Sequence, residues 1–155
     1  MTKPILAAFA ALALLSACAS DETTTAATGG TGGSSIRPGS QEDLVANVGD
    51  RVLFDTDRTS VREDQRPILQ RQASWMQTNA SVTVQVEGHA DERGTREYNL
   101  ALGQRRANSA RDLLVAGGVA GARISTISYG KDRPAALGSD ESAWAQNRRA
   151  VTVVR

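Results

Sequence analysis

Apolar positions along the chain follow two different spacings, and the spacing predicts which segments are strands and which are helices. Residues 81–88 alternate between apolar and polar, so that Val82, Val84 and Val86 share one face of a predicted strand. Residues 95–116 repeat apolar positions at helical spacing and end at a Gly-Gly pair, which predicts a long helix. The residue pattern also predicts strands at 51–55, 123–129 and 149–155, helices at 41–47 and 62–78, and a helical turn near 142–146.

The order of these elements predicts the fold class. Strand, helix, strand, helix, strand, strand is typical of an α+β fold, a two-layer α/β sandwich with the order β-α-β-α-β-β. We therefore expect a mixed sheet with two helices packed on one face. Pro67 lies inside the predicted helix 62–78. Because proline has no backbone N–H and clashes with the preceding turn, this helix either starts late or bends there.

The first 17 residues have the pattern of a secretory signal peptide. Lys3 precedes an apolar run at 5–15, and small residues precede Cys18. The apolar run is too short to span a bilayer, which requires about 20 residues. The sequence LSAC at 15–18 resembles a bacterial lipobox, which implies cleavage before Cys18 and lipidation of that residue. The alternative is a cysteine that merely happens to end the signal peptide.

A change of composition divides the rest of the chain. Residues 19–40 are mostly Thr, Gly, Ser and Ala, a composition that buries little apolar surface and favours a flexible chain. We therefore predict a signal peptide at 1–17, a lipidated and disordered tether at 18–40, and a folded domain at 41–155. The lipobox resemblance, with no Asp directly after Cys18, favours the outer membrane.

Charge and cysteine content exclude several function classes. The chain has 18 Lys and Arg against 17 Asp and Glu, and cleavage would remove Lys3, which makes these numbers equal. A chain without a basic excess gives no reason to expect nucleic acid as a partner. Cys18 is the only cysteine, so a lipidated chain has no thiol for a disulfide, a nucleophile or a zinc cluster. We expect no cofactor and no metal.

Arg106 is the most informative residue of the predicted helix 95–116. It lies within the apolar stripe that contains Leu102 and Ala110, whereas its neighbour Arg105 lies away from that stripe. A buried guanidinium without a partner is costly, so Arg106 needs an anionic partner. The partner is either a carboxylate of the protein, in a structural ion pair, or the carboxylate of a ligand.

Asp91 follows the strand 81–88 and precedes the helix that carries Arg106. Loops at the ends of strands often carry ligand-binding groups. An aspartate and an arginine that face one cleft could bind a zwitterion, the aspartate through an ammonium and the arginine through a carboxylate. The alternatives are that Asp91 pairs with Arg106 or caps the helix.

The sequence VEGHADERGTREYNLALGQRR at 86–106 resembles the signature of OmpA-like peptidoglycan-binding domains. The resemblance extends from RVLFDTD at 51–57, through SYGKD at 128–132, to QNRRAV at 146–151. With the lipobox and tether in front, the whole chain is most similar to the peptidoglycan-associated lipoproteins of that family.

The resemblance implies the ligand and the residues that bind it. In this family the cleft holds the peptide stem of peptidoglycan through meso-diaminopimelate, whose side chain ends in an ammonium and a carboxylate on one carbon. Asp91 matches the position that binds the ammonium, and Arg106 matches the position that binds the carboxylate. Further matching positions around the cleft are Arg93, Asn99, Leu102, Phe54, Asp55 and Thr56. His89 is interpreted as a residue that supports the loop.

The resemblance also implies partners and location. It predicts a lipid anchor in the outer membrane of a Gram-negative bacterium, with the folded domain in the periplasm. Its expected partners are TolB and other components of the Tol-Pal system, which supports envelope integrity and constriction at cell division. One alternative is an OmpA-like wall-binding lipoprotein that does not bind TolB.

The other alternative is a cell-wall hydrolase, in which His89, Asp91 and Glu92 form a metal or acid–base cluster. The signal for such a site is weak. The chain has one histidine and neither an HExxH nor a GxSxG motif. We therefore predict that the chain is not an enzyme.

Overall fold

The computed structural model describes residues 36–155. The predicted signal peptide, the predicted lipidation site Cys18 and most of the predicted tether therefore lie outside the described residues. The last residues of the predicted tether form a turn in which the backbone N–H of Ser40 donates to the carbonyl of Arg37. None of the helices within 36–155 has both the length and the apolar content that crossing a bilayer requires.

Four strands form one mixed sheet. They are β1 (Arg51–Leu53), β2 (Val84–His89), β3 (Ile124–Gly130) and β4 (Arg149–Val154), in the spatial order β1-β4-β2-β3. Strand β4 runs antiparallel to both β1 and β2, and β3 runs parallel to β2. The predicted α+β fold with a mixed sheet is confirmed.

The helices lie close to their predicted positions. Helix α1 (Gln41–Asp43) continues as a π-helical turn (Leu44–Val48), and a 3-10 turn (Glu63–Gln65) precedes α2 (Arg66–Thr78). The others are α3 (Arg96–Ala116) and α4 (Glu141–Asn147). Proline is in the first turn of α2, where its missing N–H costs nothing, so the late start is the correct alternative.

One prediction for the first strand was too long. β1 ends at Leu53, two residues before the predicted end, although the N–H of Phe54 still donates to the carbonyl of Arg148 at 2.9 Å. The chain then turns away from the sheet through Asp57, whose φ of 59° lies in the left-handed region. The residues after β1 are thereby directed towards the end of α3 that carries the candidate site.

The core lies between the sheet and helices α2 and α3. Val84 and Val86 of β2 are buried there together with residues of both helices, among them Leu69, Met76 and Leu114. Residues 36–155 therefore contain a hydrophobic core of their own.

The two layers approach each other most closely at a pair of glycines. A Cβ on Gly88 would lie 1.8 Å from the carbonyl oxygen of Gly103, so only glycine allows α3 to lie this close to β2. This contact holds α3 against the carboxyl end of β2.

Candidate functional site

A cleft of about 390 Å³ opens at the carboxyl end of β2. It lies between the loop that follows β2, the segment that follows β1 and the amino-terminal half of α3. Six of the eight predicted ligand-binding positions line it: Thr56, Asp91, Arg93, Asn99, Leu102 and Arg106. The other two, Phe54 and Asp55, do not line the cleft but contact Arg106 from behind it.

Arg106 is fully buried, with 0% of its surface exposed, and its guanidinium is held by backbone carbonyls. Nε donates to the carbonyl of Arg58 at 2.9 Å, Nη1 to that of His89 at 2.9 Å, and Nη2 to that of Asp55 at 3.1 Å. The guanidinium carbon lies 5.3 Å from the centre of the Phe54 ring. Burial lowers the pKa of Arg106 to about 10, so the side chain is still charged at neutral pH.

The structural ion pair that was one alternative for Arg106 is not formed within the described residues. No Asp or Glu oxygen there lies within 4.0 Å of its guanidinium nitrogens. A guanidinium has five N–H donors. The three carbonyls take one donor from each nitrogen, so that Nη1 and Nη2 each keep one N–H without a partner in residues 36–155. The arrangement suits an oxyanion that approaches from the cleft.

Asp91 is also buried, with 7% of its surface exposed, but its carboxylate is paired. Its Oδ1 accepts from the backbone N–H and Nε of Arg93, both at 3.1 Å. Its Oδ2 accepts from Nη2 of Arg93 at 2.7 Å and from Nη1 of Arg148 at 3.4 Å. Burial raises the pKa of Asp91, yet the hydrogen bonds from Arg93 outweigh that effect and hold the pKa below its usual range. The carboxylate is therefore ionised at neutral pH.

The side chain of Arg93 extends along the rim of the cleft. Its guanidinium carbon lies 4.2 Å from the centre of the Trp144 ring, and its Nη2 donates to Oγ1 of Thr56 at 3.4 Å. The backbone of Arg93 is held by Asn99, whose Nδ2 donates to the Arg93 carbonyl at 2.9 Å. Asn99 itself is buried on α3.

The alternative that Asp91 caps the helix does not hold. The residue before α3 is Thr95, and its hydroxyl accepts the N–H of Tyr98 at 3.2 Å. Thr95 thereby satisfies one of the free N–H groups of the first turn. Asp91 instead accepts from two arginines, so the loop from β2 to α3 keeps a buried carboxylate beside the cleft.

Three residues that line the cleft were not predicted: Asp57, Gly94 and Tyr98. The hydroxyl of Tyr98 donates to the carboxylate of Asp57, which joins α3 to the segment after β1. Both residues belong to sequences that resembled the family signature. The resemblance could therefore have identified both residues. Their contact with each other could not be predicted, because it depends on the turn at Asp57.

Arg148 is a further residue that the sequence analysis missed. It is buried between α4 and β4, its Nε donates to the carbonyl of Phe54 at 3.2 Å, and it pairs with both Asp91 and Glu141. The available signal was the pair Arg148 and Arg149 at the start of a β-branched segment. Arg148 thereby gives Asp91 a second, buried cationic partner.

His89 contributes its backbone rather than its side chain to the cleft. Its carbonyl accepts from Arg106, while its buried ring lies 5.7 Å from that of Tyr129 and is not part of the cleft lining. Burial, with a smaller effect from the charges of Arg149 and Arg133, lowers the pKa of His89 to about 4. The described residues contain no group of three or more His, Cys, Asp or Glu side chains that could hold a metal ion.

Comparison with known proteins identifies the family. Residues 53–148 match the OmpA family. A peptidoglycan-associated lipoprotein of Mesorhizobium japonicum is 52% identical over 153 residues, which cover 97% of this chain and 91% of that protein. A peptidoglycan-associated lipoprotein of Pasteurella multocida is 40% identical over 151 residues, covering 97% of this chain and 96% of the relative.

Solved structures agree with these relatives. The crystal structure of the peptidoglycan-associated lipoprotein from Burkholderia pseudomallei has a TM-score of 0.68 and 41% identity, covering 73% of this chain and all of that one. The C-terminal domain of Helicobacter pylori MotB has a TM-score of 0.64 at 22% identity, over 68% of this chain and 84% of that one, which shows the shared fold alone. The chain therefore belongs to the OmpA family and, within it, to the peptidoglycan-associated lipoproteins, a non-enzymatic group, as the sequence predicted.

Proposed function

We propose that this protein binds peptidoglycan non-covalently through the cleft between Asp91 and Arg106 and thereby ties the outer membrane to the cell wall. The observation that carries the proposal is the state of Arg106. Its charge is fully buried, three backbone carbonyls orient it, and two of its N–H groups have no partner within residues 36–155. An anion that accepts these two N–H groups from the cleft would stabilise the buried charge further.

The anion that fits is a carboxylate with an ammonium beside it. Asp91 lies in the same cleft as Arg106 and is ionised, so the site contains both a carboxylate and a guanidinium, and Asp91 is paired with Arg93 in the free protein. The end of the meso-diaminopimelate side chain carries both complementary charges on one carbon. Leu102, also in the cleft lining, offers an apolar wall for the methylene groups of that side chain. Asn99 and Thr56 supply polar groups at the two sides.

The location and the partners form the finer part of the proposal. We propose that Cys18 carries the lipid, that the lipid lies in the outer membrane, and that residues 41–155 function in the periplasm. The relatives that match almost the whole chain are named as lipoproteins, which supports the lipid anchor. TolB and the Tol-Pal system are proposed from the sequence resemblance. Recovery of TolB by residues 36–155 in a pull-down would support this part, and failure would favour a wall-binding lipoprotein without TolB.

Sedimentation with purified peptidoglycan tests the wall binding. Residues 36–155 are incubated with diaminopimelate-containing peptidoglycan and centrifuged, as wild type, as Arg106→Ala and as Arg105→Ala. Arg105 is the exposed neighbour of Arg106, so its substitution removes the same charge without touching the cleft. We expect wild type and Arg105→Ala in the pellet and Arg106→Ala in the supernatant. Circular dichroism checks that each variant is folded.

Two results would contradict the proposal. The first is a wild-type domain that stays in the supernatant, which would exclude peptidoglycan as the ligand. The second is an Arg106→Ala variant that is folded and still sediments. If Arg106→Ala fails to fold, Asp91→Asn replaces it, because the amide has the same shape and removes only the charge. Peptidoglycan with lysine in place of diaminopimelate lacks the second carboxylate and should sediment much less of the wild type.

A further inference from the structure

We infer that Arg93 competes with the ligand for Asp91: its guanidinium occupies the carboxylate in the free protein and must leave before a ligand ammonium binds there. The inference rests on the proposed function, because it assigns Asp91 to an ammonium. It gives Arg93 a role opposite to that of a ligand-binding residue, so the two roles predict effects of opposite sign.

The hydrogen bonds of Asp91 carry the first step. A carboxylate offers about four acceptor positions on its two oxygens. The protein itself fills them, since Arg93 donates from its backbone N–H, Nε and Nη2, and Arg148 donates from Nη1. An ammonium that enters the cleft therefore finds no free acceptor on Asp91. At least one protein donor has to withdraw.

The exposure of the donors identifies which one can withdraw. The side chain of Arg148 is only 7% exposed, and it is also held by Glu141 and the carbonyl of Phe54. The backbone N–H of Arg93 belongs to the loop that Asn99 holds in place. The side chain of Arg93 is 39% exposed and can move into solvent, where water hydrates its charge, while Asp91 keeps its pair with Arg148 and gains the ligand ammonium. The guanidinium of Arg93 is therefore the displaceable partner.

Further contacts hold this guanidinium in the competing position. It stacks on Trp144 at 4.2 Å, and Nε1 of Trp144 donates to Oε1 of Glu92 at 3.1 Å, which fixes the ring. On its other side it donates to Thr56, so it bridges from the β2–α3 loop to the segment after β1. Its three guanidinium contacts must be given up together when the ammonium binds.

The competition reduces affinity and sharpens specificity. A site whose competent state is only partly populated binds its ligand more weakly by that fraction. A simple amine gains only Asp91 and must displace Arg93 to do so. A zwitterion also gains Arg106, whose two remaining N–H groups have no hydrogen-bond partner to displace within residues 36–155. The exchange at Asp91 thus favours ligands that carry both charges.

Isothermal titration of residues 36–155 with a soluble stem tripeptide that ends in meso-diaminopimelate tests the inference. We expect Arg93→Gln to bind about fivefold more tightly than wild type, the size of effect that a half-exposed ion pair supports. Arg96→Gln is the matched control, because Arg96 is an exposed arginine nearby that pairs with Asp132 outside the cleft. The control separates the loss of the Asp91 contact from the loss of one positive charge.

Trp144→Leu provides a second, independent variant. It removes the stacking but leaves Arg93 in place, so it should also tighten binding, by less than Arg93→Gln. Arg93→Lys restores a cation that contacts one point only and should return most of the affinity change. A merely structural effect on the loop would not be reversed by lysine.

The outcomes separate the inference from the proposed function. If wild type binds and folded Arg93→Gln binds more weakly or equally, Arg93 is not a competitor and the inference is wrong, while the proposed function stands. If wild type and Asp91→Asn both fail to bind the tripeptide, the proposed function is wrong and the inference falls with it. If Arg93→Gln does not fold, a Trp144→Leu variant that does not bind more tightly overturns the inference.

Discussion

Each end of the sheet has an arginine that donates to three backbone carbonyls, yet the two arginines have different roles. At the amino end of β2 and β3, Arg123 donates to the carbonyls of Met76, Asn79 and Val82 at 2.8 to 2.9 Å. At the carboxyl end, Arg106 donates to the carbonyls of Asp55, Arg58 and His89. Arg123 is half-buried and Arg106 is fully buried.

The difference lies in the segments that each arginine joins. All three acceptors of Arg123 belong to the end of α2 and the segment that leads to β2, so Arg123 stabilises the connection between these two elements. The acceptors of Arg106 come from two separate segments, after β1 and at the end of β2, and its free donors lie beside a cleft. The same hydrogen-bonding pattern therefore stabilises one end and leaves a charged binding surface at the other.

The glycine contact at the carboxyl end should give the largest effect on stability. A Cβ on Gly88 would overlap the backbone of Gly103 at 1.8 Å, and a backbone cannot rotate away as a side chain does. We expect Gly88→Ala to destabilise the protein by about 3 kcal/mol or more. Gly121→Ala is the control at the amino end, because its Cβ would meet the flexible end of Arg111 at 3.3 Å and a methyl group of Val115 at an ordinary contact distance of 3.9 Å. Urea denaturation measures both, and equal midpoints would contradict the prediction.

The single histidine should make stability depend on pH through a buried ring at the carboxyl end of the sheet. The pKa of His89 is about 4 in the folded protein, below its ordinary value of 6.5, because the ring is buried. The unfolded chain thus takes up the proton first, and stability falls as the pH decreases from 6.5 towards 4. We expect a loss of about 2 to 3 kcal/mol across this window. Glu87, whose Oε2 lies 3.8 Å from Nε2, and the arginines 133 and 149 face the ring.

Urea midpoints at pH 7 and pH 4.5 check this dependence. His89→Gln should remove most of it, because His89 is the only histidine in the chain. The carboxylates whose pKa is lowered, such as Glu42 and Asp43, add to the loss of stability only near the acid end of the window, where the unfolded chain begins to protonate them. A variant that keeps the wild-type pH dependence would show that another group is responsible.

Substitution of Arg123 should lower the stability of the protein without affecting peptidoglycan binding. Arg123→Ala leaves three carbonyls without their donor, but the site is partly exposed and water can replace some of the hydrogen bonds. We expect a loss of about 2 kcal/mol in the free energy of unfolding. Sedimentation with peptidoglycan should be unchanged. Loss of wall binding by a folded Arg123→Ala variant would contradict the division between the two ends.

At the carboxyl end of the sheet, the sequence predicted the strand and the helix better than the hydrogen bonds between distant residues. Alternation at 81–88 and helical spacing at 95–116 located β2 and α3 to within a few residues, because those patterns depend on local geometry. The stripe on α3 also predicted that Arg106 is buried, which is correct. Its acceptors come from residues that are distant in sequence, and a backbone carbonyl can be supplied by any residue type.

The hydrogen-bond partners of Asp91 could not be predicted from the sequence either. The sequence pattern predicted a pair with Arg106 or a helix cap as the alternatives to ligand binding, whereas Asp91 pairs with Arg93 and Arg148 in the structure. Arg93 is two residues away, and its contact depends on the loop conformation rather than on any periodicity. Arg148 reaches Asp91 only because β4 lies beside β2 in the sheet, and the strand order was not predictable from the pattern.

Removal of a helix cap at either end should give the smallest change in stability. Thr95 caps α3 at the cleft, and Ser40 caps α1 near the opposite end, each by accepting a backbone N–H at 3.2 Å. Both Thr95→Ala and Ser40→Ala should cost about 1 kcal/mol of stability, since the caps are alike. Only Thr95→Ala should also weaken peptidoglycan binding, because the first turn of α3 positions Asn99 and Tyr98 in the cleft. Equal urea midpoints with unequal sedimentation would show that one cap serves binding as well as folding, and equal sedimentation would show that the first turn of α3 keeps its place without the cap.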